Sequence, residues 1–141
     1  MTTRDDRLVA EMQVLRDRVI GVTDIVVASA DGLLITAETA ETDGTESAEG
    51  LAALTAAALS IARRVGSVTS KGPLHHTVTR YTDGYLVARA IGEMALIGVL
   101  GDSGLDVKRL HIEAQVSAER IGTLLTSGSA AEPDDTEEGE R

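Results

Sequence analysis

Hydrophobic residues recur at helical spacing near both ends of the chain. Close to the N-terminus, apolar side chains stand four, three and four positions apart, at Leu8, Met12, Leu15 and Val19. A similar spacing runs through Val107, Leu110, Ala114, Ser117, Ile121 and Leu124. Because positions i, i+3 and i+4 share one side of an α-helix, both patterns predict amphipathic helices. The first helix should end near Gly21, and Ser103 with Asp106 has the spacing of a capping box before the last helix.

Five shorter segments are typical of β-strands, in a group of two and a group of three. They are residues 24–30, 33–37, 75–81, 85–91 and 94–100. Tight turns are predicted at Asp31-Gly32, Asp83-Gly84 and Gly92-Glu93, since Asp-Gly pairs tolerate the positive φ of hairpin turns. The last segment is continuously apolar, which predicts a central strand covered on both faces. With a helix over residues 47–66, the order is α-β-β-α-β-β-β-α, an α+β fold with helices packed on one five-stranded antiparallel sheet.

The helix predicted over residues 47–66 carries almost no charge before its last turns. One face holds mostly larger apolar side chains, namely Leu51, Leu54, Ala58, Ile61, Ala62 and Val65. The other positions include the small residues Ala52, Ala53, Ala56, Ala57 and Ser60. Since an exposed helix face normally carries charged residues, this helix is either buried on both sides or meets another helix closely through its small face. We favour close contact with another helix.

The net charge of −10 is unevenly distributed along the 141 residues. Six of the 23 acidic residues lie within residues 128–141, together with Pro133 and no apolar period. We therefore predict a disordered acidic tail there and a folded domain over residues 1–127, which keeps a net charge of −5. A second acidic segment, residues 38–49, predicts a loop leading into the middle helix. The acidic balance disfavours nucleic acid and anionic membranes as partners.

The motifs of the common enzyme and metal sites are missing from the sequence. There is no cysteine, which excludes disulfides, thiolate metal sites and cysteine nucleophiles. The segment Gly101-Asp102-Ser103-Gly104 resembles the nucleophile region of chymotrypsin-like proteases, but the chain is too short for that fold, and Ser103 better suits a helix cap. Of the three histidines, His75, His76 and His111, the first two are strand neighbours that face opposite sides and should not share a metal ion. We predict no enzyme and no catalytic, cofactor or metal residues.

The sequence also indicates a soluble, cytoplasmic protein. The charged N-terminus lacks the apolar core of a signal peptide, and the longest apolar stretch, residues 94–100, is too short to cross a bilayer. There is no Phe or Trp, and the only two tyrosines are Tyr81 and Tyr85. Aromatic stacking on bases is therefore nearly excluded. The glycine-rich loops that hold nucleotide phosphates are absent as well.

Several segments, taken in this order, resemble the Roadblock/dynein light chain family from about Leu8 to Leu125. They are VTDIVVASADGLL at residues 22–34, LAALTAAAL at 51–59, Gly84-Tyr85-Leu86-Val87, and ALIGVL at 95–100. The alanine-rich helix and the acidic tail are most similar to the bacterial stand-alone members. Profilin-like and longin-like domains share related sheet layouts and are the alternatives at the level of the fold.

The resemblance implies a non-enzymatic homodimer. In the family, the helix between the two hairpins pairs with its copy and the third strand extends the sheet across the dimer. Here those elements are residues 47–66 and 75–81. The candidate interface residues are Ala52, Ala53, Ala56, Ala57, Ser60, Arg63, His75, Thr77, Thr79 and Tyr81. The small face of the helix agrees with such a contact, and strand 75–81 would be an edge that needs a partner.

The bacterial members resemble regulators of small Ras-like GTPases. The resemblance therefore implies such a GTPase as partner, and an effect on its nucleotide cycle or its localisation. Arg64, Arg80 and Arg89 are candidates for the surface that contacts it. Two other classes of protein stay open, a scaffold or adaptor without a GTPase partner and a small-ligand sensor. A sensor requires a pocket with polar groups among apolar walls, whereas this alanine-rich core is more easily close-packed.

Overall fold

The structure, a computed structural model, describes residues 2–39 and 45–138, with side chains described for residues 2–39 and 47–127. The elements are α1 (Arg4–Arg18), β1 (Val22–Ser29), β2 (Leu34–Glu38), α2 (Thr45–Val68), β3 (His76–Tyr81), β4 (Gly84–Ile91), β5 (Ala95–Asp102) and α3 (Val107–Glu138). The strands form one antiparallel sheet in the order β2-β1-β5-β4-β3. The predicted α+β fold and order of elements are confirmed, and β5 is the central strand.

The first helix forms as its sequence pattern predicts. Thr3 caps α1 by accepting a hydrogen bond from the backbone N–H of Asp6, while the Asp6 carboxylate accepts one from the N–H of Thr3. This reciprocal pair satisfies two backbone donors that the first turn would otherwise leave free. The apolar positions Leu8, Met12 and Leu15 are fully buried. Gly21, which has φ +96°, lies in the turn after the helix.

The β1–β2 hairpin and the β3–β4 hairpin have different turns. Between β1 and β2, Gly32 takes φ +92°, as the Asp31-Gly32 pair predicts, and its N–H donates to the Ser29 carbonyl at 2.9 Å. Between β3 and β4, however, the turn is at residues 82–83, and Gly84 is the first residue of β4. The prediction of an Asp83-Gly84 turn is therefore wrong by one position. Glycine is required there because a Cβ would collide with the carbonyl oxygen of Gly101 on β5.

The sheet has a thick layer on one face and a thin layer on the other. Side chains alternate between the faces along each strand. On one face, Ile25, Val27, Val87, Ile97 and Val99 pack against α1 and α3 in a large core. On the other face, the smaller cluster of Ala28, Ala88 and Leu96 packs against α2 through Ala52, Ala56 and Leu59. Helices α1 and α3, together with the sheet face that they cover, thus enclose most of the larger aliphatic residues.

The last helix begins later than its predicted capping box. The carboxylate of Asp106 accepts a hydrogen bond from the N–H of Arg109 at 3.1 Å, and the Asp106 carbonyl accepts one from the N–H of Leu110. Asp106 is thus the N-cap of α3. Ser103 lies exposed in the preceding turn, where Asp102 accepts from the Gly104 N–H. The assignment of Ser103 as the cap is wrong, because the chain uses residues 102–105 to turn back toward residues 20 and 21.

The acidic tail falls at the border of what the structure describes. Helix α3 is assigned through Glu138, but the side chains of residues 128–138 and all of residues 139–141 lie outside the described part. The boundary at residue 127 and the disorder of the tail therefore stay predictions. Of the acidic segment 38–49, Glu38 belongs to β2 and residues from 45 onward belong to α2, while residues 40–44 lie outside the described residues.

The cap of α3 can be tested with two matched substitutions. Replacing a capping Asp by Ala typically costs about 1 kcal/mol, so Asp106→Ala should lower the free energy of unfolding by about that amount. Ser103→Ala should change it by less than about 0.5 kcal/mol, as exposed positions usually do. Urea unfolding at constant slope measures both. Equal losses from the two variants would contradict the assignment of Asp106.

Candidate protein-interaction site

One side of α2 presents large apolar side chains to solvent. Leu54, Ile61, Val65 and Val68 are 70%, 66%, 56% and 70% exposed. Their spacing of 7, 4 and 3 residues places them along one line of the helix, about 21 Å long at 1.5 Å per residue. We call these four residues the apolar stripe. An exposed, contiguous and uncharged patch of this kind marks an interaction surface.

The opposite side of α2 packs on the chain's own sheet through Ala52, Ala56 and Leu59. Ala52 and Ala56, predicted as interface residues, are buried there, so a second copy cannot reach them. The approach is close: a Cβ on Gly98 of β5 would lie 3.1 Å from the side chain of Thr55. Part of the small face therefore serves contact between helix and sheet, while Ala53, Ala57 and Ser60 stay exposed. The prediction that the small face meets another helix is wrong for Ala52 and Ala56 and stays a prediction for the other three residues.

The edge strand β3 lies beside this helix. It pairs only with β4 within the described structure, so its outer row of backbone donors and acceptors is open. Thr79 and Tyr81 are exposed and Thr77 is half-buried, and all three are on the sheet face that carries α2. The other edge strand, β2, is flanked by α1, and Arg16 of α1 forms an ion pair with Glu38 at 3.2 Å.

The remaining predicted interface residues fall around these elements. Ala53, Ala57, Ser60 and Arg63 are exposed on α2, and His75 is exposed just before β3. The structure thus brings the helix and strand parts of the predicted interface to one side of the molecule. The prediction missed the apolar stripe, although its signal was present in the sequence as large residues on a helix face that carries few charges.

The three candidate partner-binding arginines do not share a surface. Arg64 is exposed on α2. Arg80 and Arg89, which lie opposite Tyr85 and His76 in the β3–β4 register, are on the other face of the sheet. The Arg80 guanidinium carbon lies 5.8 Å from the centre of the Tyr85 ring, within the range of a cation–π contact. A single partner surface made from all three arginines is therefore excluded by the topology.

The histidines form a contact that the sequence did not predict. His76 of β3 and His111 of α3 have ring centroids 4.2 Å apart, although 35 positions separate them in the chain. Partial burial lowers the pKa of His76, and the nearby positive charges of His111, Arg89 and His75 lower it further. His75 is exposed and precedes the strand. Among the described residues, no group of three or more His, Cys, Asp or Glu could hold a metal ion.

Helix α2 also has a composition that bears on membranes. Residues Ser47–Val68 are long and apolar enough to cross a bilayer, judged by length and composition alone. One such helix is weak evidence for a membrane span, because a core helix of a soluble protein passes the same test. Here the buried face of α2 is occupied by the sheet.

A five-stranded antiparallel sheet with α1 and α3 on one face and α2 on the other defines the roadblock type of α+β domain. The chain belongs to the Roadblock/LC7 domain family, whose model matches residues 8–101. Domains of this family are generally non-catalytic regulators or adaptors. A search of curated proteins finds no match.

Solved structures show the same fold. A Roadblock/LC7 domain from Streptomyces avermitilis has a TM-score of 0.76 at 24% identity, covering 83% of this chain and 96% of that one. The gliding protein MglB from Thermus thermophilus has a TM-score of 0.76 at 13% identity, covering 88% and 92%. An MglB structure with a tetrameric arrangement has a TM-score of 0.77 at 13% identity, covering 88% and 91%. At these identities the likeness shows the fold.

The lowered pKa of His76 makes stability depend on pH. Because the folded state holds the pKa below its unfolded value of 6.5, the unfolded chain binds more protons as the pH falls through that range. This contribution to stability is present above pH 6.5 and is lost as the pH falls through the folded pKa. The urea midpoint should therefore decrease between pH 7.5 and pH 5.5, and the decrease should be smaller in His76→Gln. An unchanged pH dependence in that variant would contradict the assignment.

Proposed function

We propose that this protein is a non-enzymatic homodimeric regulator or adaptor, which works in the cytoplasm by binding a small Ras-like GTPase and modulating its nucleotide cycle or localisation. The observation that carries the proposal is the apolar stripe of α2 beside the open edge of β3, in a chain of the roadblock family. The dimer is the first part of this proposal, and the GTPase is the second.

The geometry of the exposed elements favours a two-fold dimer. A two-fold axis perpendicular to the sheet, at the β3 edge, would pair β3 with its copy in antiparallel fashion and extend the sheet to ten strands. The same axis keeps both α2 helices side by side on one face of the extended sheet, so exposed side chains of the two helices would lie next to each other. Burying a large aliphatic side chain contributes about 1.5–3 kcal/mol, so stripe residues at the border between the helices would favour the contact. The pairing would also satisfy the open backbone groups of β3.

The interface of the proposed dimer differs from the sequence-based candidates in one respect. Ala53, Ala57, Ser60 and Arg63 stay at its margin on α2, and His75, Thr77, Thr79 and Tyr81 stay on or beside the paired strand. Ala52 and Ala56 are buried on the sheet, so the proposed interface includes the apolar stripe in place of these two residues.

The dimer can be tested by placing a charge in the centre of the stripe. Ile61→Glu should convert the dimer to a folded monomer, because two carboxylates would be buried at the contact without partners. Ile112→Glu is the matched control, since Ile112 is also an exposed isoleucine on a helix, 59% accessible on α3. Sedimentation velocity measures both variants. A dimer that survives Ile61→Glu would overturn this interface, and a monomer in Ile112→Glu would point to another one.

The GTPase part of the proposal is supported by the family, and it agrees with the absence of a nucleotide-binding motif from the sequence. The sequence contains no phosphate-binding loop, so any effect on nucleotide hydrolysis would act on the active site of the partner. The resemblance to bacterial regulators of Ras-like GTPases supplies the class of partner. The fold shared with the gliding protein MglB agrees with that branch of the family.

A nucleotide-dependent capture experiment tests the partner. The immobilised full chain is incubated with lysate of its own organism, with either a non-hydrolysable GTP analogue or GDP, and bound proteins are identified by mass spectrometry. We expect a small Ras-like GTPase that is enriched several-fold with the GTP analogue. Proteins captured equally in both states, with no GTPase among them, would overturn the GTPase proposal and support the scaffold alternative. The Ile61→Glu variant shows whether capture depends on the dimer.

A further inference from the structure

Three basic side chains from three elements meet on the sheet face that carries α1 and α3. His76 and Arg89 are directly opposite each other in the β3–β4 register, so their Cβ atoms are about 5 Å apart. His111 reaches over from the second turn of α3, and its ring lies 4.2 Å from that of His76 at an angle of 38°. We call His76, Arg89 and His111 the cationic cluster.

The cationic cluster has no counter-charge within the described residues. The ion pairs recorded there involve Arg4, Arg16, Arg18, Arg109 and Arg120, and none of them includes Arg89 or a histidine. The groups whose positive charge lowers the pKa of His76 are His111 from α3, Arg89 from β4 and His75 from its own segment, and no carboxylate is among them. In a chain with 23 acidic and 13 basic residues, a group of like positive charges without a carboxylate is unexpected.

Hydrogen bonding within the cluster is also incomplete. The Nδ1 atom of His76 is buried without a hydrogen-bond partner. Arg89 is half-buried, and the described hydrogen bonds include none to its guanidinium group. Partly buried basic groups that lack acceptors are destabilising in their charged form unless an external anion supplies both the charge and the acceptors.

We propose that His76, Arg89 and His111 form a binding site for an oxyanion of the phosphate class. An arginine presents a planar fork of N–H donors that matches phosphate oxygens, and each protonated imidazole adds one outward N–H donor. When both imidazoles are protonated, a phosphate dianion balances two of the three positive charges, whereas a carboxylate balances one. The phosphate can come from free inorganic phosphate or from a monoester group on a larger molecule. This site is independent of the proposed dimer and GTPase.

Binding of phosphate should be coupled to protonation of the histidines. An anion that contacts the cluster favours the charged imidazoles, so its binding raises the pKa of His76. The groups that face His76 from β4 and α3 are Arg89 and His111, and neither is an acid that could reverse this direction.

The test is simple by NMR, because the full chain has only three histidines and therefore few imidazole resonances to follow. Phosphate is titrated into the protein in a non-phosphate buffer at constant ionic strength, and the ring resonances are followed by NMR at pH 6 and pH 7.5. We expect saturable shifts of His76 and His111 and a raised pKa of His76. Arg89→Gln should weaken binding about tenfold or more, the effect of losing one hydrogen bond between charged groups.

Arg7→Gln is the control, because it removes the same charge from an exposed position on α1, away from the cluster. It should bind phosphate like the native protein. A phosphate monoester, such as glycerol phosphate, distinguishes the sources: tighter binding than inorganic phosphate indicates a phosphate on a larger molecule, and weaker or equal binding indicates the free anion. Shifts that do not saturate, that are matched by acetate, or that persist unchanged in folded Arg89→Gln would overturn the site.

Discussion

Helix α2 approaches its sheet closely where Gly98 meets Thr55, and the exposed surface of the molecule follows from that contact. Gly98 and Thr55 meet at the point of closest approach, and Ala52 and Ala56 fill the space on either side. A helix with 3.6 residues per turn presents only one side to the sheet, and here that side carries Ala52, Ala56 and Leu59. Once the alanines are buried, Leu54, Ile61, Val65 and Val68 must face away from the sheet.

The two faces of the sheet therefore differ in how completely one chain can cover them. Two helices cover the face with Ile25, Val27 and Ile97, and they enclose a core of ordinary thickness. On the other face a single thin layer leaves the apolar stripe uncovered next to the open edge of β3. A surface with these properties gains more from contact with another protein chain than from exposure to water. The cationic cluster lies on the opposite face of the same edge strand, so the molecule presents apolar and charged chemistry on separate sides.

Local signals in the sequence were sufficient for most of the elements. The spacing of Leu8, Met12 and Leu15 predicted α1, and Asp31-Gly32 predicted the first hairpin turn, because each depends on neighbours within a few positions. Two local predictions failed where a distant contact decided the outcome. Gly84 belongs to β4 since the backbone of Gly101 leaves no room for a side chain. Asp106 caps α3 in place of Ser103 since the preceding residues pair with the turn after α1.

The candidate sites also divide into features that the sequence determines and features that depend on tertiary contacts. By itself, the sequence determined the α+β order of elements, the family resemblance, and the fact that helix 47–66 has one large and one small apolar face. Periodicity assigns residues to faces, but it does not state which face meets the sheet. That choice depended on Gly98, Ala28 and Ala88, which come from three strands and form part of the surface on which Ala52, Ala56 and Leu59 pack. The contact of His76 with His111 and Arg89 likewise exists only after the sheet register and the position of α3 bring distant residues together.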